Sequence, residues 1–110
     1  MIDERLLTQY ADLMGSAGVA DILTTFDDNV SGYLDHIRWL VKQRDETAVR
    51  RQAHKLKGAC RSVGLQQLGN LMEHMERQPW HWSELEQLLQ QWVVELPKHQ
   101  QQLRQWLLTR

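Results

Sequence analysis

The stretch Asp45–Leu65, DETAVRRQAHKLKGACRSVGL, decides the fold. Its apolar residues Val49, Ala53, Leu56, Cys60 and Val63 recur at the three-and-four spacing of a helical stripe. At about 100° per residue they lie within roughly 40° of one direction, which must face a core. His54 then points about 140° from that direction and Gly58 about 180°. Arg50, Lys57 and Arg61 flank the histidine one or two turns away on the same outward face. The spacing predicts an amphipathic helix that stands an imidazole in solvent inside a ring of cations.

Gly58 is the residue that helix preference does not explain. A glycine inside a helix costs about 1 kcal/mol relative to alanine, and on an outward face packing does not require it. Helical side chains lean toward the N-terminus, so a side chain at 58 would lie over the ring at 54. Its omission leaves the imidazole open to a large partner. The plainer alternative is a neutral surface glycine beside a solvated histidine.

On either side of this helix the chain reads as helix again. Asp3 is an N-cap for a short segment carrying Leu6, Leu7, Tyr10, Leu13 and Met14 on one face, and Gly15-Ser16-Ala17-Gly18 predicts a turn after it. A second helix is expected over Val19–Gln43, with Asp27, Asp28, Asp35 and Arg38 mostly on its solvated side. Asp45 caps the decisive helix and Gly64 closes it, with Leu65 folding back apolar surface. Leu65, Leu68, Leu71, Met72 and Met75 form the next stripe, after which Gln78–Trp82 reads as a loop whose tryptophans either cap the bundle end or bind a partner. Ser83 and Glu86 make a capping box for a last helix that runs, kinked, through Pro97. Strand signals are absent. The expected architecture is all-α: an antiparallel up-down four-helix bundle with an additional short N-terminal helix, forming one domain over residues 1–110.

The pattern Ala53-His54-Lys55-Leu56-Lys57-Gly58, followed by Gly64 and Leu68, resembles the signature of histidine-containing phosphotransfer (HPt) domains, the carriers of multistep two-component phosphorelays. The likeness covers essentially the whole chain. It implies that His54 accepts a phosphoryl group from a receiver-domain aspartate and passes it to another receiver, with Lys57 as a phosphate-side cation and Gly58 as the clearance residue. Arg50 and Arg61 are expected to face the phosphate or the partner. Many members place a polar side chain of the following helix near the imidazole, often Gln; the matching position here is Glu76, a departure from that pattern. The implied partners are receiver domains of a hybrid sensor kinase or response regulator, which supply the acidic pocket and the magnesium ion.

Composition narrows the alternatives. With 110 residues, a net charge of −1, 42% hydrophobic and 25% charged residues, the chain has the make-up of an ordinary globular protein. It carries no basic field for nucleic acid. No apolar run is long enough to span a bilayer, and the single Cys60 sits on the core stripe, so a monomer in a reducing, cytoplasmic setting is expected. No Glu-x-x-His, His-Glu-x-x-His or paired-cysteine motif occurs among the five histidines and one cysteine, so neither a metal nor another cofactor is expected. No phosphate-cradling glycine loop is present, which points to a carrier without an ATP site. Histidine-kinase dimerisation domains also present a helical histidine, mostly with an acidic residue next and a proline soon after; here Lys55 follows and the next proline is Pro79. Two rival readings stand beside the carrier: a helical interaction module with an incidental histidine, and a fragment of a larger hybrid sensor kinase.

Overall fold

The computed structural model describes residues 2–110, and it is built from helices joined by short turns. The order is α1 (Glu4–Lys42), α2 (Glu46–Ser62), α3 (Gln66–Arg77) and α4 (Trp82–Leu108). Among the described residues no strand forms; a lone antiparallel bridge joins Ile2 to Leu65. Each helix runs antiparallel to the next. Gln52 of α2 donates to the Tyr33 carbonyl of α1 at 3.1 Å, and Trp92 of α4 donates to the Leu68 carbonyl of α3 at 3.1 Å. Asp27 near the middle of α1 receives Gln100 and Arg104 of α4, while Arg44 beyond the other end of α1 reaches Glu86. The bundle therefore closes α1–α2–α3–α4 in a ring around one core.

That core contains the stripes expected from spacing. Val49, Ala53, Leu56 and Cys60 of α2 are fully buried, facing Leu68, Met72 and Met75 of α3 and Leu85 and Trp92 of α4. Full burial of side chains of this size is worth about 1.5–3 kcal/mol each, which makes the stripes the main force holding the helices together. Burial also pushes the Cys60 thiol up to about 12.

The helix ends follow local chemistry. Asp3 and Asp45 accept the backbone N–H three residues on, at 3.1 Å in both cases, as N-caps do. At the end of α2, Leu65 N donates to Cys60 O at 2.9 Å and Gly64 N to Arg61 O at 3.2 Å, the paired bonds of a Schellman closure. Gly64 adopts φ +81°, which a side chain would oppose. The closed turn also holds the N-terminus: Asp3 N donates to Gly64 O at 2.8 Å, and Tyr10 Oη to Ser62 O at 3.0 Å.

Three expectations are corrected. The turn expected over residues 15–18 shrinks to a single non-helical break at Gly15 (φ 75°, ψ 172°), which separates the expected short N-terminal helix from the long helix within α1. Leu13 (82% exposed) and Met14 (43% exposed) lie outside the core although they share the spacing of buried Leu7. The N-cap of α4 is His81, not Ser83, with Glu84 Oε1 accepting the His81 N–H at 3.3 Å. Trp82 explains the early start: it packs edge-to-face on Trp80 at 4.9 Å, with the Arg44 guanidinium 5.1 Å from its ring centre. Glu86 is thereby released to pair with Arg44 at 2.7 Å. Pro97 lies inside α4 on its exposed side, and the helix passes through it as one element.

Candidate functional site

His54 stands at the middle of α2 with its side chain 65% exposed. Its Nδ1 lies 2.8 Å from Glu76 Oε2, a carboxylate near the end of α3. The second oxygen of that carboxylate lies 2.6 Å from Lys57 Nζ, as an ion pair rather than a well-aligned hydrogen bond. The Lys57 ammonium beside Glu76 holds its carboxyl below the ordinary carboxylate value; partial burial opposes this, and the bond from His54 adds to it. An ionised carboxylate only accepts, so the hydrogen at this contact belongs to His54 Nδ1. In the neutral ring Nε2 is then the atom with the free lone pair, on the side away from α3.

The cations expected around the histidine divide into two flanks. Lys57 was expected outward and exposed; it is 7% exposed and turned to α3. It sits about 80° from the centre of the α2 stripe, on the border of the buried face, and α3 covers that flank. Arg50, on the same flank, lines the depression beside His54 but spends its guanidinium on the end of α3. Its Nη1 donates to the carbonyls of Met75, Glu76 and Gln78 at 3.3, 2.8 and 3.0 Å, its Nε to Glu46 at 3.1 Å, and its guanidinium lies 4.6 Å from the Trp80 ring centre. These carbonyls have no helical donor of their own, so Arg50 both satisfies them and ties the Glu76-bearing turn to α2. Arg61 reaches Glu73 at 3.3 Å and Asn70 at 3.1 Å, its stem crossing α3 where Gly69 leaves room. It clamps the two helices and does not extend toward His54.

Gly58 is exposed, and a Cβ built on it meets nothing within 4 Å. The open surface beside the imidazole forms a depression of about 450 Å³ lined by Thr47, Arg50, Arg51, His54 and Glu76. The structure thus brings His54, Glu76, Lys57 and Gly58 together and diverts Arg50 and Arg61 to structure. Sequence reasoning passed over Arg51, three residues before His54 and on its other flank, and buried His99. Each carried a signal: the i, i+3 spacing from Arg51 to His54, and the place of His99 between Leu96 and Leu103 on the α4 stripe. Among the described residues, no three His, Cys, Asp or Glu side chains come together to hold a metal. No described helix is long and apolar enough to cross a membrane.

An exposed helical imidazole with one nitrogen tied to a carboxylate and the other free is the arrangement expected of a histidine phosphotransfer module. The Hpt domain family model matches residues 21–106, and the chain belongs to that family. It is similar to the aerobic respiration control sensor protein ArcB of Escherichia coli, at 29% identity over 114 residues covering 89% of this chain. It is also similar to the sensor protein TorS of Escherichia coli, at 31% identity over 78 residues covering 71% of this chain. The chain spans 15% of the length of ArcB and 8% of that of TorS. The solved structure of the histidine-containing phosphotransfer domain of ArcB superimposes with a TM-score of 0.84 at 26% identity, covering 99% of this chain and 94% of that one. The chain is an all-α phosphorelay module of this kind.

Proposed function

We propose that His54 accepts a phosphoryl group from the phosphoaspartate of one receiver domain and returns it to the aspartate of another, with no ATP site in this chain. The observation that supports this most strongly is the 2.8 Å contact between Nδ1 and Glu76, which leaves Nε2 as the nucleophile on a 65% exposed ring. The Nε2 lone pair attacks phosphorus and forms the Nε2–P bond. The P–O bond of the acyl phosphate breaks, and its electron pair departs with the aspartate carboxylate. The proton on Nδ1 stays in place throughout, so the ring becomes an imidazolium carrying the phosphoryl group. Glu76 faces the side of the ring where that positive charge grows. In the return step the ring leaves as neutral imidazole, a far better leaving group than an imidazolate.

Transfer of this kind depends on in-line placement and on charge stabilisation more than on protein covalent chemistry. Gly58 supplies the approach, since nothing occupies the space beside it. Lys57 keeps Glu76 ionised and in position. In the same reading the partners are receiver domains rather than nucleic acid, the module acts as a monomer, and its setting is the cytoplasm, alone or within a longer sensor.

The test mixes the chain with a phosphorylated receiver in the absence of ATP. Label is expected on His54 and absent from the His54→Gln variant, whose helical circular dichroism should match the parent. Continued labelling of that variant would place the phosphoryl group elsewhere.

A further inference from the structure

We propose that Arg51 is the cation that holds the phosphoryl oxygens at His54, the part that Lys57, Arg50 and Arg61 do not play. The inference rests on the reading of His54 as acceptor and names a further residue for the same reaction. Its basis is how the basic side chains near the ring are occupied. Lys57 is tied to Glu76 at 2.6 Å, Arg77 pairs with the same Glu76 oxygen at 3.8 Å, Arg50 is bonded to the three carbonyls that end α3, and Arg61 to Glu73 and Asn70. Lys55 lies over the Tyr33 ring at 4.4 Å, on the α1 side. Arg51 lines the depression beside His54, is exposed, and makes no ion pair or hydrogen bond with another described residue.

Direction supports the same residue. Around the α2 axis Lys57 lies about 60° from His54 toward α3, and Arg51 about 60° from it the opposite way. Glu76 draws Nδ1 toward the first flank, so Nε2 is turned toward the second, where Arg51 stands one turn below the ring and Gly58 one turn above. Helical side chains lean toward the N-terminus, which brings the His54 ring over the turn that contains Arg51. A guanidinium there offers paired N–H donors to two peripheral phosphoryl oxygens, a geometry that an ammonium does not match.

The experiment compares the parent, Arg51→Ala, Arg51→Lys and, as an exposed control on α1, Arg38→Ala. Each receives phosphoryl groups from two donors: a phosphorylated receiver, and phosphoramidate, a small donor with no docking surface. With phosphoramidate the donor P–N bond breaks, ammonia leaves, and the Nε2–P bond forms. Arg51→Ala is expected to slow labelling by both donors about five- to tenfold, the effect of one charge-assisted hydrogen bond at a solvated site. Arg51→Lys should recover part of the rate, and Arg38→Ala should match the parent with phosphoramidate. Parent-like phosphoramidate labelling of Arg51→Ala would overturn the assignment. A loss confined to the receiver donor would also overturn it, because it would make Arg51 a docking contact. A parent chain that takes label from neither donor would instead overturn the acceptor reading of His54.

Discussion

Lys57 Nζ lies 2.6 Å from Glu76 Oε1 and is nearly sealed from solvent, while the other oxygen of that carboxylate meets His54 Nδ1 at 2.8 Å. We infer that the pair supports the ring, with Lys57 and Glu76 acting in series.

Groups in series are not additive, and that gives the first prediction. Lys57→Met keeps the apolar stem and removes the charge; Glu76→Gln keeps an acceptor for Nδ1 and removes the charge. Each should slow phosphoryl uptake from a receiver about three- to tenfold, the order of one charge-assisted contact. The double variant should be little slower than either single one. Multiplied losses in the double variant, measured as initial rates, would mean that Lys57 touches the phosphoryl group on its own.

The same pair has a signature in stability. The folded Glu76 carboxyl titrates below its ordinary value of 4.5, chiefly through Lys57. Above pH 4.5 it is ionised both folded and unfolded, and its contribution is fully present. As pH falls through the lower folded value that contribution is lost. Lys57→Met should therefore lower the Tm above pH 4.5 and make its decline below pH 4.5 shallower, so that the two profiles converge in acid.

The fold was legible wherever the signals were local. Asp3, Asp45 and Gly64 act on backbone groups within a few residues, and the α2 stripe needs only its own spacing, so caps, boundaries and core follow from the chain read in order. What spacing along one helix does not reveal is which flank the next helix covers. Lys57, Arg50 and Arg61 all look solvated on α2 alone, and all three are engaged once α3 packs beside them. Arg51, on the flank α3 leaves open, makes no ion pair or hydrogen bond with another described residue. The start of α4 fails for a related reason: Ser83 and Glu86 satisfy a local capping pattern, but packing between Trp80 and Trp82 selects His81 instead. Glu76 was reached by resemblance of position; its contact with His54 depends on how α3 meets α2.

A second acid effect comes from His99, which is 1% exposed and has no hydrogen-bond partner at Nδ1 among the described residues. Burial pulls its pKa below 6.5; Glu95, 3.6 Å from Nε2, opposes this, and Lys98 adds slightly to the lowering. Above pH 6.5 the ring is neutral in both states. As pH falls below 6.5 the unfolded chain takes up a proton first, and stability declines until the folded value is reached. His99→Leu should flatten the decline of the Tm profile below pH 6.5. An unchanged slope there would show that His99 protonates as easily folded as unfolded.

Cys60 provides a probe of integrity for all these variants. Its thiol is fully buried and pushed up to about 12, so at pH 8 it is neither ionised nor reachable. A disulfide reagent should leave it unmodified in the folded chain and react within seconds to minutes in denaturant. Rapid reaction in a site variant would mark opening of the α2–α3 packing rather than loss of chemistry.

Gly58 separates clearance from neutrality, because the two readings agree on stability and differ on transfer. The position is exposed, with open space around a built Cβ, so an added Cβ meets no neighbour in the isolated chain. Gly58→Ala and Gly58→Leu should each raise stability by up to about 1 kcal/mol through helix preference. The leucine would lean back over His54 and occupy the approach to Nε2. Uptake from a phosphorylated receiver should then fall steeply for Gly58→Leu and partly for Gly58→Ala. Phosphoramidate, which needs less room, should be affected less than the receiver in both. If both variants gain stability and take up label from the receiver at the parent rate, Gly58 is a neutral surface residue and the open face of His54 has another cause.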